Sequence, residues 1–259
     1  MTPERTAPPG SDPPATDPLA GVELVVFDKD GTLVDFDAMW VPWVTEIARR
    51  LESVTRLPLA GAFYEAVGFD AASGRTIPGG GLSGVPMSDL REQTVDLLRA
   101  NGLDGRAAET AVASTWYAPD PISSARPLTD LPALFNVLRR RGMRIAVATS
   151  DDRAPTKATL DGLGLTELID GLVCADDAVG VKPAPDIVHW LAAAFGVPPA
   201  RMAVVGDTPR DLEMGRAAGV RRCIGVLSGV GTQGDLEPLA DLVLPSVASL
   251  IEYDAADGQ

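Results

Sequence analysis

A chain of 259 residues with a net charge of −14, 46% hydrophobic and 22% charged, reads as globular, and its acidity argues against nucleic acid or an anionic membrane as partner. The same charge repels an anionic substrate, so any phosphate site needs local positive charge. Cys174 and Cys223 form no CxxC pair, no signal-peptide core follows Met1, and no apolar run reaches membrane-spanning length; a cytoplasmic enzyme with two buried reduced thiols, a monomer or homodimer, is the expectation.

Residues 1–20 are rich in Pro, Thr, Ala and Asp, and are expected to form a disordered tail. The apolar, β-branched run at 22–27 reads as a buried strand, and it ends in Asp28-Lys29-Asp30-Gly31-Thr32. Open parallel α/β sheets place their ligands beyond strand carboxyl ends. Two carboxylates this close repel unless a cation or a shared proton relieves them, which points to a divalent metal or to one acid and one base. A plain turn is the structural alternative. A calcium loop is disfavoured, because Thr32 and Leu33 stand where an EF-hand wants an acid or amide and a glycine.

From Asp37 the period changes. Trp40, Trp43, Val44, Ile47 and Leu51 share one helical face. A second helix starts at the Ser88 cap and stops at Gly102, and a third covers 106–117. Residues 38–120 are thus expected to be an all-helical insertion, returning through the Pro-rich stretch 119–127, with Trp40 and Trp43 in its core or, alternatively, stacking on substrate. Arg75, in a loop between the first two helices, is either a solvated arginine or a reader of a carboxylate or second anionic group. Residues 79–84 and 229–234 match GxGxxG literally. The first follows no strand and neither opens a long helix, so a nucleotide cofactor is not expected.

The remainder alternates. Strands are predicted at 144–148, 172–175, 202–205, 223–227 and 242–244, with helices at 128–140, 155–163, 185–195 and 209–218. Such βαβ alternation predicts an α/β fold, a Rossmann-like parallel sheet built from 21–37 and 121–259. The second strand runs into Thr149-Ser150-Asp151, a seat for an anion or a helix cap. Lys182, in Gly180-Val181-Lys182-Pro183, is either a surface lysine or a fixed cation for a phosphate and a nucleophile. The strand at 202–205 runs into Gly206-Asp207-Thr208-Pro209-Arg210-Asp211. Asp211 sits at the third helical position of a capping box, whereas Asp207 has no such structural reason. An oxygen-only donor set suits Mg²⁺. A lone histidine, His189, excludes a histidine triad or a multi-histidine metal site.

Taken in order, DxDGT, a strand ending in Thr149, Lys182-Pro183 and Gly206-Asp207-xxx-Asp211 resemble the haloacid dehalogenase superfamily over residues 22–250. Within it the chain is similar to phosphoglycolate-phosphatase-like members with a helical cap inserted after the first strand. The resemblance implies that Asp28 is the nucleophile, Asp30 the general acid and base, Thr149 a phosphoryl ligand, and Lys182 the cation that neutralises phosphate and nucleophile. It implies Mg²⁺ held by Asp28, the Asp30 carbonyl, Asp207 and Asp211, the last directly or through water. Ser150 beside Thr149, and Arg75 in the cap, are candidate substrate contacts. The implied activity is hydrolysis of a small phosphorylated metabolite, 2-phosphoglycolate first, through an aspartyl phosphate. A phosphomutase of β-phosphoglucomutase type and a catalytically silent binding protein are the alternatives. A dehalogenase needs neither metal nor second acid, so Asp30, Asp207 and Asp211 favour phosphate chemistry. Lys29 departs from the pattern, standing where apolar or aromatic residues are more usual, and the sequence supplies no reason for it.

Overall fold

The computed structural model describes residues 17–77 and 80–251. Its core is a six-stranded, all-parallel sheet in the order β5-β4-β1-β6-β7-β8. The strands are β1 (Leu24–Phe27), β4 (Arg144–Ala148), β5 (Gly171–Val173), β6 (Met202–Gly206), β7 (Arg222–Val226) and β8 (Leu242–Leu244). β1, fully buried, sits centrally, with Phe27 in register with Val147 of β4 and Val205 of β6. Alternate side chains serve opposite faces. Val25 and Phe27 join Ile145, Val147 and Val205 under α6 (Leu131–Arg140) and α7 (Arg153–Gly162). Leu24 and Val26 join Ala146 and Val204 under α8 (Asp186–Phe195) and α9 (Pro209–Ala218). With both faces covered, the strands must be apolar throughout, which is why they were legible as short continuous runs.

The insertion has its own core. α1 (Phe36–Thr55) is capped by Asp35, whose carboxylate accepts from the Ala38 N–H at 3.1 Å. It packs with α2 (Ala60–Val67), α4 (Met87–Ala100) and α5 (Gly105–Thr115) around Trp43, Ile47, Leu51, Phe63, Leu98 and Val112. The Trp43 indole is satisfied by the Tyr117 carbonyl at 2.7 Å. A short α3 (Gly81–Gly84) precedes α4, and α10 (Gln233–Leu236) lies in the core domain. The insertion is not all-helical as expected. A two-stranded antiparallel hairpin, β2 (Phe69–Asp70) with β3 (Arg75–Thr76), follows α2.

Cap and sheet are joined by two crossings that run side by side. Val34 bridges Pro127, the Asp35 N–H donates to the Arg126 carbonyl at 2.8 Å, and the Leu128 N–H to the Leu33 carbonyl at 3.0 Å.

The expected tail is too long at its inner end. Residues 1–16 lie outside the described residues, but Asp17 to Ala20 form a turn that inserts Leu19, fully buried, into the cluster containing Phe27 and Phe135. Asp17 accepts from the Leu19 N–H at 3.0 Å and pairs with Arg141. Burying one leucine contributes roughly 1.5–3 kcal/mol, enough to order a short turn. Among the described residues, no helix is long and apolar enough to cross a membrane.

Candidate active site

β1 gives way to Asp28, whose N–H still donates to the Val205 carbonyl at 2.9 Å, one rung beyond the strand. The chain then turns on itself. Gly31 adopts φ +85°, and its N–H meets the Val34 carbonyl at 2.7 Å, while the Leu33 and Val34 N–H groups both reach the Lys29 carbonyl. A Cβ at Gly31 would lie 2.4 Å from Oδ2 of Asp207, so the missing side chain is the space that this carboxylate occupies.

Asp207, fully buried after β6, is held by two segments. The Thr32 hydroxyl donates to it at 3.2 Å and the Val230 N–H at 2.8 Å. Gly229 and Gly231 flank that N–H; a Cβ at Gly229 would fall 2.0 Å from Asp207 Oδ2, and one at Gly231 2.1 Å from its carbonyl oxygen. The second GxGxxG match is therefore a close-approach device for a carboxylate. The expected capping box is present: Asp211 accepts from the Thr208 hydroxyl at 2.6 Å and from its N–H at 3.1 Å. Asp211 also faces the site, 2.6 Å from the Lys182 ammonium through its other oxygen.

Asp28, Asp207 and Asp211 each bring an oxygen within 4.8 Å of the others. Lys182, buried, pairs with Asp28 and Asp211. One ammonium among three carboxylates leaves the cluster short of positive charge. Burial, with Asp211 adding to it against Lys182, pushes the Asp28 carboxyl up to about 6. Burial, then Asp28 and Asp211, drives Asp207 well above the usual carboxylate range. Burial pulls Lys182 down, but Asp211 and Asp28 outweigh it and hold the ammonium above its ordinary value. Buried, oxygen-only and under-neutralised, this donor set fits a hard divalent cation.

Asp30 belongs to a second ion cluster. Lys29 is 1% exposed, and its ammonium lies 2.7 Å from Asp30 and 2.9 Å from Asp151. The lysine that the sequence left unexplained is a clamp between the first two strand ends. Burial outweighs Lys29 and places the Asp30 carboxyl at about 7. Asp28 and Asp30 thus line one cavity with separate counter-ions.

Thr149 and Ser150 both line that cavity. The Thr149 N–H donates to Val173, and its hydroxyl accepts from the Asp151 N–H at 3.2 Å. The capping alternative fails, since the N-cap of α7 is Asp152 and no side chain caps it. The cavity measures about 50 Å³, several times the ~10–15 Å³ that a water needs, which suits a phosphoryl group. Its cap wall is apolar: Phe36, Trp40, Leu82, Val85 and Met87. Trp40, read as cap core, is buried and faces the site as well. Arg75 is not brought to the cavity. It lies on β3 with its side chain 70% exposed, 3.9 Å from Asp37. Arg210, which sequence reasoning passed over, lines the cavity and donates to the Lys182 carbonyl. Its position between Asp207 and Asp211 at the start of α9 was the available signal.

The arrangement offers a nucleophilic carboxylate, a separate proton-holding carboxyl, a fixed ammonium and a cation site around one small cavity. The chain is 32% identical over 201 residues to a phosphoglycolate phosphatase of Rhodospirillum rubrum, covering 76% of this chain and 77% of that one. It is 26% identical over 204 residues to an N-acetylmuramic acid 6-phosphate phosphatase of Pseudomonas aeruginosa, covering 77% and 80%. The crystal structure of a Haemophilus somnus protein, described as a predicted phosphoglycolate phosphatase, superposes with a TM-score of 0.64 at 17% identity, covering 90% of this chain and 98% of that one. The model of the haloacid dehalogenase-like hydrolases matches residues 22–219, from β1 through the cap to α9, and the chain belongs to that family.

Proposed function

We propose that this phosphoric monoester hydrolase is Mg²⁺-dependent and turns over a small organic phosphate through a phosphoryl group carried on Asp28. The observation that carries the reading is the pairing of the Asp28–Asp207–Asp211 cluster and Lys182 with a separately held Asp30. Asp28, Asp207 and Asp211 would hold the metal, with the Asp30 carbonyl, which the loop's Gly31–Val34 and Val34–Lys29 bonds leave out. When bound, Mg²⁺ supplies the positive charge that lets a carboxylate approach a phosphoryl anion.

The chain's own residues do the rest. Lys182 orients Asp28 and offsets phosphoryl charge, with the Thr149 and Ser150 strand end facing the same cavity. An oxygen of Asp28 forms a bond to phosphorus as the ester P–O bond breaks, and Asp30 gives its proton to the departing alkoxide. Asp30, now a carboxylate, takes a proton from the water that attacks phosphorus and frees Asp28. A group that must hold and release a proton near neutrality is served by the value of about 7 that burial imposes.

2-Phosphoglycolate heads the substrates to try, on the names of relatives. The purified chain is expected to hydrolyse p-nitrophenyl phosphate with Mg²⁺ and to stop on addition of EDTA. Asp28→Asn is expected to lower kcat about 10³-fold or more with unchanged circular dichroism; near-normal turnover would overturn the reading. Asp30→Asn should slow alkyl esters far more than p-nitrophenyl phosphate, whose leaving group needs no proton.

A further inference from the structure

A second cavity, of about 270 Å³, adjoins the site between cap and sheet. Trp40, Met87 and Asp151 line both cavities. Lys29, which holds Asp30, lines the second as well. The walls added there are Met39 and Trp116, so two indoles and two thioethers face one space.

The direction of the leaving group follows from Asp30. Its proton must reach the ester oxygen that departs, so that oxygen lies within hydrogen-bond reach of Asp30. Asp207, Asp211, Lys182 and Arg210 line the phosphoryl cavity and not the second one, whereas Lys29 and Asp151, ion partners in the Asp30 cluster, both line the second. The carbon skeleton of the alcohol therefore emerges past Asp30 and the shared Trp40–Met87 wall, into the second cavity. An apolar cavity of about 150 Å³ holds a benzene ring; this one is larger.

Resting on the phosphatase reading, we infer that the second cavity is the leaving-group chamber, and that the substrate is a phosphomonoester of an alcohol bearing a ring, not one of a two-carbon acid. The indole faces of Trp40 and Trp116 take one face of the ring. Asp152 and Arg91, exposed and also lining the chamber, serve polar substituents at its mouth.

The test compares kcat/KM of the full chain with Mg²⁺ on ethyl phosphate, 2-phosphoglycolate, benzyl phosphate and glucose 6-phosphate. Ethyl and benzyl esters differ little in leaving-group acidity, so their ratio reads the chamber. At least one ring ester is expected to exceed both two-carbon esters by about tenfold or more. Which one leads tells an aromatic ring from a hydroxylated one. Ser88→Phe and Ala118→Trp, at exposed lining positions, should fill the chamber and bring the ring-to-ethyl ratio towards one. Benzylphosphonate should shift the tryptophan emission at concentrations where ethylphosphonate does not. Ethyl phosphate or 2-phosphoglycolate matching the ring esters, with p-nitrophenyl phosphate hydrolysed, overturns the chamber alone. A ratio unmoved by both filling variants overturns it too. Hydrolysis of none of the esters, p-nitrophenyl phosphate included, overturns the phosphatase reading and the chamber with it.

Discussion

Between Asp28 and Asp30 stands a lysine that is almost wholly buried, and its role is set by a residue 122 positions away. Asp151 and Asp30 share Lys29, at 2.9 and 2.7 Å. Burial pulls Lys29 down, yet Asp151 and Asp30 together raise it, so it stays charged across the working range. Lys29→Met keeps the stem and removes the charge. Breaking a buried ion pair on one side costs about 3–5 kcal/mol. Because Asp30 can take up a proton instead, the loss should be largest near pH 8 and smaller near pH 5. Urea unfolding in EDTA at both values checks this; a loss under about 1 kcal/mol at the higher pH contradicts the clamp. The carboxyls give a second test. Asp28 and Asp30 are raised from 3.8 to about 6 and about 7 in the folded state. Between those values the folded chain binds more protons than the unfolded one, so stability is lost as pH rises through that window. The melting temperature of the metal-free protein should therefore fall from about pH 5 to about pH 8. Mg²⁺ should restore most at the upper end, with release of protons measurable by calorimetry in buffers of different ionisation enthalpy. A rising melting temperature in EDTA contradicts the assignment.

At the scale of elements, the loop from β7 to α10 does for Asp207 what no side chain could. Two of its glycines let backbone come within contact of Asp207, Gly229 at the carboxylate and Gly231 at the carbonyl oxygen, and the Val230 N–H between them donates to the carboxylate. Gly229→Ala places a methyl where Asp207 Oδ2 now sits. Because groups that orient a ligand typically govern 10–100-fold of metal affinity, Mg²⁺ binding by titration calorimetry should weaken about tenfold or more. An unchanged affinity would mean that Asp207 is not a ligand. This loop also marks where the sequence stops being legible. Strand ends carrying Asp28, Thr149 and Asp207 stood out because buried parallel strands are apolar on both faces and their polar successors are abrupt. Lys182 and Asp211 were placed by motif order. α2, of 8 residues, and the two-residue strands β2 and β3 are too short to show a period. Leu19 is one apolar residue in a Pro-rich stretch. The partners of Lys29 and the purpose of Gly229 are tertiary facts, fixed by strand order rather than by neighbours in the chain. Arg75 stood open between a solvated arginine and an anion reader, because a charged residue in a cap loop carries no sign of which way it faces; its 70% exposed side chain fits the first.

For the molecule as a whole, the net charge of −14 sets the approach of substrate. A dianionic ester is repelled at long range, and salt screens that field over a Debye length of about 10 Å at 0.1 M. For such an ester, kcat/KM should rise as NaCl is increased from about 10 to about 200 mM at saturating Mg²⁺. A fall would mean that Lys182, Arg210 and the metal dominate the field at the entrance. The cap that roofs this entrance is fastened in one place. Its two crossings are stitched together at Val34–Pro127 and Asp35–Arg126, so they form one narrow ribbon and not two spaced tethers. Trp40, in the first turns of α1 beside that ribbon, and Met87, at the start of α4, are the cap residues it carries over the site. Val34 is at the same time bridged to Asp30. The strap that ties the cap to the sheet and the backbone of Asp30 thus meet at one residue, so any displacement of the cap at this ribbon would reach Asp30 through Val34 alone.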